Sequence, residues 1–298
     1  MGIGNEVNRV SIIVDHVFFQ HKDCVNTNEY ALKDINLEIK DGEFIGIIGQ
    51  TGSGKSTLIQ HLNGLEKATS GTIYYNGEDI YAKDYPLKQL RGKVGLVFQY
   101  PEYQLFENTV IEDIKFGPKN LGLSSLEVDL RSYQAFKDVG LGEELLDVSP
   151  FQLSGGQKRR VAIAGVLAME PDVLILDEPT AGLDPYGREE ILTLISRLHK
   201  EKKCTIVLVS HSMEDVANYV DRLLVMYHGS ILLDGSPREI FKHRAELEKI
   251  GLSVPQVTKV MKGLREKGIT VNCDAISVDE AKREILRAYN ERKKGKMV

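Results

Sequence analysis

Residues 44–57 read Phe44-Ile45-Gly46-Ile47-Ile48-Gly49-Gln50-Thr51-Gly52-Ser53-Gly54-Lys55-Ser56-Thr57. The run Phe44 to Ile48 has the length of a short buried strand, and Lys55 to Leu62 has the pattern of a helix. Between them the chain fits G-x-x-x-x-G-K-[S/T], a loop whose glycines let backbone N–H groups turn towards phosphates. The sequence therefore predicts a strand, a phosphate-binding loop and a helix, in that order.

Two side chains in this loop carry specific chemistry. Lys55 supplies a positive charge to the terminal phosphates, and Ser56 supplies a hydroxyl for Mg²⁺. The helix that follows turns its positive end to the same place. We therefore expect the phosphates of a nucleotide to bind at Gly49, Gln50, Thr51, Gly52, Ser53, Gly54, Lys55, Ser56 and Thr57.

A second apolar run, Val173 to Leu176, ends in the carboxylates Asp177 and Glu178. If this run is a strand of an open α/β sheet, its carboxyl end lies beside the phosphate loop. Successive strand residues point to opposite sides, so the two carboxylates are expected to have different roles. We expect Asp177 to hold Mg²⁺ and Glu178 to position and deprotonate a water molecule.

Composition limits the class of protein. The chain has 298 residues, of which 42% are hydrophobic and 27% charged, so collagen-like, disordered and disulfide-scaffold classes are excluded. No apolar run approaches the ~18 residues of a membrane span, and residues 1–10 lack the apolar core of a signal peptide. The net charge of −5 predicts no nucleic-acid partner. Cys24, Cys204 and Cys273 are few and scattered, which fits a reducing compartment and no zinc site.

Alternating apolar strands and helical stretches predict a parallel sheet with crossover helices. The predicted strands are 11–19, 32–39, 44–48, 94–98, 173–176 and 205–209, with a polar interruption from His21 to Tyr30. The predicted helices are 55–62, 154–169, 187–200, 240–250 and 279–289. After about Gly235 the pattern becomes helical, so we expect a main domain over 1–235 and an α-rich extension over 236–298 that ends in a basic, solvated tail up to Lys296.

The segment Leu153-Ser154-Gly155-Gly156-Gln157 begins the predicted helix 154–169. Ser154 can cap that helix, but capping does not account for Gly-Gly-Gln. This segment resembles the signature of the ATP-binding cassette family, and the resemblance covers about Ser11 to Gly235. It implies a P-loop NTPase fold of the ATP-binding cassette (ABC) type: a parallel core sheet, an antiparallel β subdomain and a helical signature subdomain at about 100–170.

The same resemblance implies roles for further residues. Ser154, Gly155, Gly156 and Gln157 would bind the γ-phosphate of an ATP held by a second, facing subunit, so that hydrolysis requires a dimer.

Three single residues match the family's order along the chain. Gln99 resembles the Q-loop glutamine, which senses Mg²⁺ and contacts the membrane partner. Asp184 resembles the D-loop aspartate that couples the two sites, and His211 the switch histidine that faces the γ-phosphate. The resemblance thus implies that Glu178, His211, Gln99 and Lys55 act in catalysis and that Ser56, Gln99 and Asp177 hold Mg²⁺.

One departure from the family concerns adenine. Members usually carry an aromatic residue near the end of the first strand, which stacks on the base. In this chain that position falls near His21, whose ring stacks less strongly. Phe19 is the alternative.

A finer resemblance rests on residues 99–106, which read Gln-Tyr-Pro-Glu-Tyr-Gln-Leu-Phe, on 116–118 and on 159–171. These are similar to the ATPase subunits of energy-coupling factor transporters, also called cobalt-type ATPases, and most to the second of two paralogues. The resemblance implies a subunit at the cytoplasmic face of the cell membrane whose ATP hydrolysis powers uptake of a vitamin or transition metal. The implied partners are a second ABC ATPase subunit, a transmembrane coupling protein that contacts Tyr100 to Phe106, and a substrate-binding membrane component.

Other classes fit the sequence less well. The nearest alternative is the ATPase of another ABC transporter. ABC ATPases of DNA repair insert long coiled coils before the signature, and no sustained heptads occur here; translation-associated members usually carry two cassettes, and this chain has one. A non-enzymatic nucleotide-binding module disagrees with the presence of Glu178 and His211.

Overall fold

The structure is a computed structural model that describes residues 10–21 and 30–294. Its strands are β1 (Val10–Phe19), β2 (Leu32–Lys40), β3 (Phe44–Gly49), β4 (Ser70–Tyr75), β5 (Glu78–Asp79), β6 (Val94–Val97), β7 (Val173–Asp177), β8 (Thr205–Val209), β9 (Arg222–Tyr227) and β10 (Ser230–Gly235). Its helices are α1 (Lys55–Leu62), α2 (Leu87–Lys93), α3 (Val110–Leu121), α4 (Ser125–Asp138), α5 (Gly155–Leu167), α6 (Pro185–Lys202), α7 (Met213–Tyr219), α8 (Pro237–Ile240), α9 (Arg244–Lys249), α10 (Gln256–Glu266) and α11 (Val278–Lys294). Most of the predicted polar interruption, Cys24, residues 1–9 and Lys296 lie outside the described residues.

The central sheet has six strands in the order β10-β9-β3-β8-β7-β6. All neighbours pair in parallel except β10, which runs antiparallel to β9 at one edge. Ile47 and Asp177 are both level with Val209, so β3, β7 and β8 end at the same edge. The predicted α/β architecture with a parallel core sheet is confirmed.

A second, antiparallel sheet has the order β2-β1-β4-β5. Its inner face shares one hydrophobic core with α1 and with one face of the central sheet, through residues such as Ile35, Ile73, Leu58 and Ile47. The helix after the phosphate loop is therefore held between two sheets. The other face of the central sheet packs against α3, α5 and α6.

The C-terminal part has a small core of its own, formed by Met261, Val271, Ala275, Ala281 and Ala288. This small core includes residues of α10 and α11, and the larger core beside the central sheet includes none from these two helices. Among the described residues, no helix combines the length and the apolar character required to cross a membrane.

Two predictions for this part were wrong. The single helix expected at 240–250 is divided into α8, a 3₁₀ turn at Phe241–His243, and α9. Ile240, Phe241 and Leu247 are all at most 4% exposed, so the segments on both sides of the break enter the same core. The structure also contains α10, which is not among the predicted helices.

Candidate active site

The phosphate loop begins where β3 ends and stops where α1 begins. Within it, Ser53 N–H donates to Gln50 O at 3.1 Å. A Cβ at Gly49 would lie 2.5 Å from Met226 O, and one at Gly54, where φ is +101°, would lie 2.6 Å from Ala31 O. Neighbouring backbone therefore requires glycine at both ends of the loop.

The Lys55 ammonium closes this loop from inside. Its Nζ donates to Gly49 O at 2.8 Å and to Gln50 O at 3.0 Å, and the side chain is only 6% exposed. Burial lowers the pKa of Lys55, while the carboxylates of Glu178 and Asp177 oppose that shift. The loop is thus preformed around a positive charge that an anion would stabilise.

Asp177 is the last residue of β7 and is 7% exposed. Burial raises its pKa, and a hydrogen bond with Ser56 and the charge of Lys55 act in the opposite direction. Asp177 therefore faces the first turn of α1, as its position at the strand end predicts.

Glu178 follows Asp177 in a left-handed backbone conformation, with φ of +49°. Its N–H donates to Val209 O at 3.0 Å, which holds the residue against the end of β8. One carboxylate oxygen accepts a hydrogen bond from Gln99 Nε2 at 2.9 Å, and the other lies 2.6 Å from His211 Nε2. Three predicted residues from the ends of three neighbouring strands thus meet at one carboxylate.

A cavity of about 270 Å³ lies between this carboxylate and the phosphate loop. It is lined by Thr51, Gly52, Gly54, Lys55, Ser56, Thr57, Gln99, Glu178 and His211. Glycine backbone, one cation, hydroxyls and a carboxylate so arranged can bind a polyphosphate and orient a water molecule beside it.

The signature lies on a different part of the surface. Ser154 caps α5: its Oγ accepts from Gln157 N–H at 3.3 Å, and Gln157 Oε1 accepts from Ser154 N–H at 2.9 Å. A Cβ at Gly155 or Gly156 would meet nothing within 4 Å. The signature therefore offers an open helix N-terminus, and its residues are not among those that line the cavity at the phosphate loop.

Asp184 likewise caps a helix, since its Oδ1 accepts from Gly187 N–H at 2.7 Å at the start of α6. The side chain is exposed and does not belong to the cavity lining given above. Neither Asp184 nor the signature is brought to the phosphate loop of its own chain.

At the expected adenine position, Phe19 contacts two histidine rings. The ring of His21 is 4.8 Å from that of Phe19, and the ring of His61 is 4.5 Å from it. Phe19 is 7% exposed whereas His21 is exposed. The exposed ring at this edge is therefore His21, and Phe19 supports it from the core.

Sequence reasoning missed Arg159, one turn into α5. Its side chain is 1% exposed and bonds to the backbone just after Glu178. The available signal was a charged residue four positions before Ile163, on the face of α5 that is otherwise apolar.

A contact between the C-terminal part and the phosphate loop was also missed. Gly251, Leu252 and Ser253 border a cavity of about 540 Å³ together with Gln50 and Thr51. The two segments are about two hundred residues apart in sequence, so no local pattern could join them.

Comparison with known proteins identifies the family to which this fold belongs. Residues 32–181 match the family model described as ABC transporter. The energy-coupling factor transporter ATP-binding protein EcfA2 of Caldanaerobacter subterraneus subsp. tengcongensis is 58% identical over 276 residues, which is 93% of this chain and 96% of that protein.

Solved structures agree. The structure of cbiO1 from Clostridium perfringens, part of the ABC transporter complex cbiONQ, is 41% identical with a TM-score of 0.72, over 85% of this chain and 99% of that one. The ATP-binding cassette MJ0796, dimeric and bound to ADP and Pi, is 32% identical with a TM-score of 0.68, over 76% and 98%. This chain therefore belongs to the ABC transporter family, among its energy-coupling factor transporter ATP-binding proteins.

Proposed function

We propose that this chain is the ATP-hydrolysing subunit of an energy-coupling factor importer that takes up a vitamin or a transition metal. One observation carries the proposal. The Glu178 carboxylate is held between Gln99 and His211, beside a phosphate loop in which the Lys55 ammonium is already in place. The names of the relatives, energy-coupling factor transporter ATP-binding proteins, supply the transport context.

In this proposal the loop from Gly49 to Thr57 binds the phosphates of ATP. Lys55 moves its ammonium from the carbonyls of Gly49 and Gln50 to the terminal phosphates. Glu178 orients the attacking water and accepts its proton, while His211 holds the γ-phosphate. The hydrogen bond from Gln99 and the contact with His211 support these roles, since they fix the carboxylate in the cavity.

Ser56, Asp177 and Gln99 would hold Mg²⁺. A hydroxyl, a carboxylate and an amide are the oxygen donors that this ion prefers. Among the described residues, His, Cys, Asp and Glu side chains form no group of three or more that could hold a metal ion by themselves. Phosphates and water would therefore complete the coordination of the ion. When bound, the ion would neutralise phosphate charge.

We further propose that a second ABC ATPase subunit, a paralogue of this chain, supplies the signature to this chain's ATP. In return Ser154, Gly155, Gly156 and Gln157 would bind the partner's ATP, with Asp184 between the two sites. The open surface over the two glycines supports this arrangement.

The membrane partner would bind at the segment from Tyr100 to Phe106, the docking segment. Tyr103 is 85% exposed and Phe106 57%, beside Phe116 at 43%. This apolar surface suits a transmembrane coupling protein, which would pass the motion to a substrate-binding membrane component. The chain would then lie at the cytoplasmic face of the cell membrane.

We also propose the domain division at residue 235. The last strand, β10, ends at Gly235, and the separate small core lies beyond it. Residues 236–298 would then form an extension that stabilises the dimer or regulates it.

The test is affinity purification of the tagged chain from detergent-solubilised native membranes, followed by mass spectrometry. We expect a multi-span membrane protein, a second ABC ATPase and small membrane proteins in the eluate. A chain that purifies alone, or with ribosomes or nucleic acid, would contradict the transport role and leave the ATPase assignment intact.

A further inference from the structure

Arg159 is the most deeply buried charged side chain near the candidate active site. It is 1% exposed, whereas arginine is almost never fully buried unless it is paired. It lies on α5, two residues after the signature, and its side chain is enclosed in the protein interior. Such burial requires that specific partners compensate the charge.

Those partners come from two other segments. Nη1 donates to Pro179 O and to Ala181 O, both at 2.8 Å. Nη2 donates to both carboxylate oxygens of Glu102 at 3.1 Å, which pairs the charge. One guanidinium thus joins α5, the docking segment and the chain that follows Glu178.

The backbone after Glu178 requires such support. Glu178 has φ of +49°, a conformation that non-glycine residues keep only where surrounding structure determines it. The turn is closed by Ala181 N–H, which donates to Glu178 O at 3.1 Å. The carbonyls that Arg159 binds are those of the residues one and three positions after Glu178.

The docking segment therefore reaches Glu178 by two routes. Gln99, just before that segment, contacts the Glu178 carboxylate directly at 2.9 Å. Glu102, inside it, reaches the backbone of the same turn through Arg159. A shift of the segment thus acts on the carboxylate and on its backbone together.

We propose that Arg159 is a positioning residue that holds the turn after Glu178 and transmits movements of the docking segment to the Glu178 carboxylate. Arg159 is not among the residues that line the cavity at the phosphate loop. Arg159 should therefore affect the rate of hydrolysis rather than the affinity for ATP. This inference rests on the proposed role of Glu178.

The experiment compares Arg159→Met, Arg159→Lys and Glu178→Gln in the complete complex purified from membranes. We expect kcat for Arg159→Met to fall by about 10- to 100-fold, because small misplacements of a reacting group carry costs of that size. KM for ATP should stay within about twofold of wild type. Arg159→Lys should be slow as well, because one ammonium cannot span the same acceptors.

The matched control is Arg160→Met on the same helix. Arg160 is partly exposed and pairs with Glu190 at 2.6 Å, away from Glu178. Its kcat should remain within about twofold of wild type. If Arg159→Met does not fold, Glu102→Gln removes the paired charge with little change of shape and should lower kcat by about 3- to 10-fold at unchanged KM.

The outcomes separate the two claims. Wild-type kcat in Arg159→Met overturns the inference. A reduced number of ATP-binding sites, with normal turnover for each bound ATP, also overturns it, because that result would mean that Arg159 has a purely structural role. Wild-type kcat in both Arg159→Lys and Glu102→Gln overturns it where Arg159→Met is unusable. If Glu178→Gln hydrolyses ATP at the wild-type rate, the role of Glu178 fails instead.

Discussion

His211 Nε2 lies 2.6 Å from Glu178 Oε1, although the two residues follow different strands of the central sheet. The contact exists because β7 and β8 pair in parallel and end level with each other at Asp177 and Val209. Gln99 reaches the other oxygen of the same carboxylate from the end of β6. The parallel register thus brings together the group to which we assign the reaction.

The first prediction concerns Glu178→Gln. Without the carboxylate the cavity lacks the group to which we assign proton acceptance from water, so ATP turnover should fall by at least about 100-fold. ATP binding should persist, and closed dimers should accumulate and be visible by size-exclusion chromatography with ATP. Glu201→Gln, an exposed glutamate at the end of α6, is the control and should keep wild-type turnover. Normal rates in Glu178→Gln would assign the base elsewhere.

The second prediction concerns Asp177→Asn. Burial raises the pKa of Asp177, so its charged form destabilises the nucleotide-free protein and this cost is present above the folded-state pKa. The variant should melt at a higher temperature than wild type at pH 7, and this gain should vanish at acid pH, where Asp177 is protonated. Mg²⁺-dependent hydrolysis should be lost.

Thermal unfolding without nucleotide at several pH values measures this effect. Asp129→Asn, at an exposed carboxylate on α4, serves as control and removes the ion pair with Lys115 at 2.9 Å. Its melting temperature should not rise at pH 7. A lower melting temperature for Asp177→Asn at pH 7 would mean that the carboxylate stabilises the empty site.

The third prediction concerns the docking segment. Replacing Tyr103 and Phe106 together by Asp should reduce co-purification of the membrane protein by at least about tenfold, because exposed aromatic residues dominate binding at interfaces. ATP binding by the variant should match wild type. Leu232→Asp, on the edge strand β10, replaces an exposed apolar side chain by one such charge elsewhere and should leave co-purification unchanged. Equal recovery of the membrane protein with both variants would refute the docking assignment.

The fourth prediction concerns Gly251, which has φ of +69° and would direct a Cβ into Gln50 Nε2. Gly251→Ala should lower the free energy of unfolding by roughly 1–3 kcal/mol. Adding Gln50→Ala to this variant should restore the part of the lost free energy that arises from the collision between the new Cβ and the Gln50 side chain. Gly263→Ala, within α10 and without neighbours, should instead be neutral or stabilising. Chemical denaturation gives all three values.

Most strands of the central sheet, and the loop at its edge that forms the candidate site, were predictable because each has a local sequence pattern. The strands at 44–48, 173–176 and 205–209 are apolar runs that are buried on both faces, and the loop at Gly49 has a fixed spacing. The hairpin of β4 and β5 had a signal in Asn76-Gly77, both with positive φ. That dipeptide favours a tight hairpin turn, but the strands beside it are too short and mixed to be recognised on their own.

Contacts between distant segments were not predictable. Arg159 bonds with Glu102 and with the backbone at Pro179, and Gly251 lies against Gln50. Each depends on how elements pack in three dimensions. The division of the predicted helix at 240–250 was not predictable either, since Phe241 and Leu247, on its two parts, are buried in one core at positions that a single helix would also allow.

The Ser154 hydroxyl caps the N-terminus of α5 and can still form a further hydrogen bond. A hydroxyl has one donor hydrogen and two acceptor lone pairs, and capping of α5 uses only an acceptor, towards Gln157 N–H. The hydroxyl can therefore donate its hydrogen to an anion while the capping hydrogen bond of the helix is kept. In the proposed dimer, the two subunits could therefore close and part repeatedly while each α5 stays intact, and recognition would require no refolding at the interface.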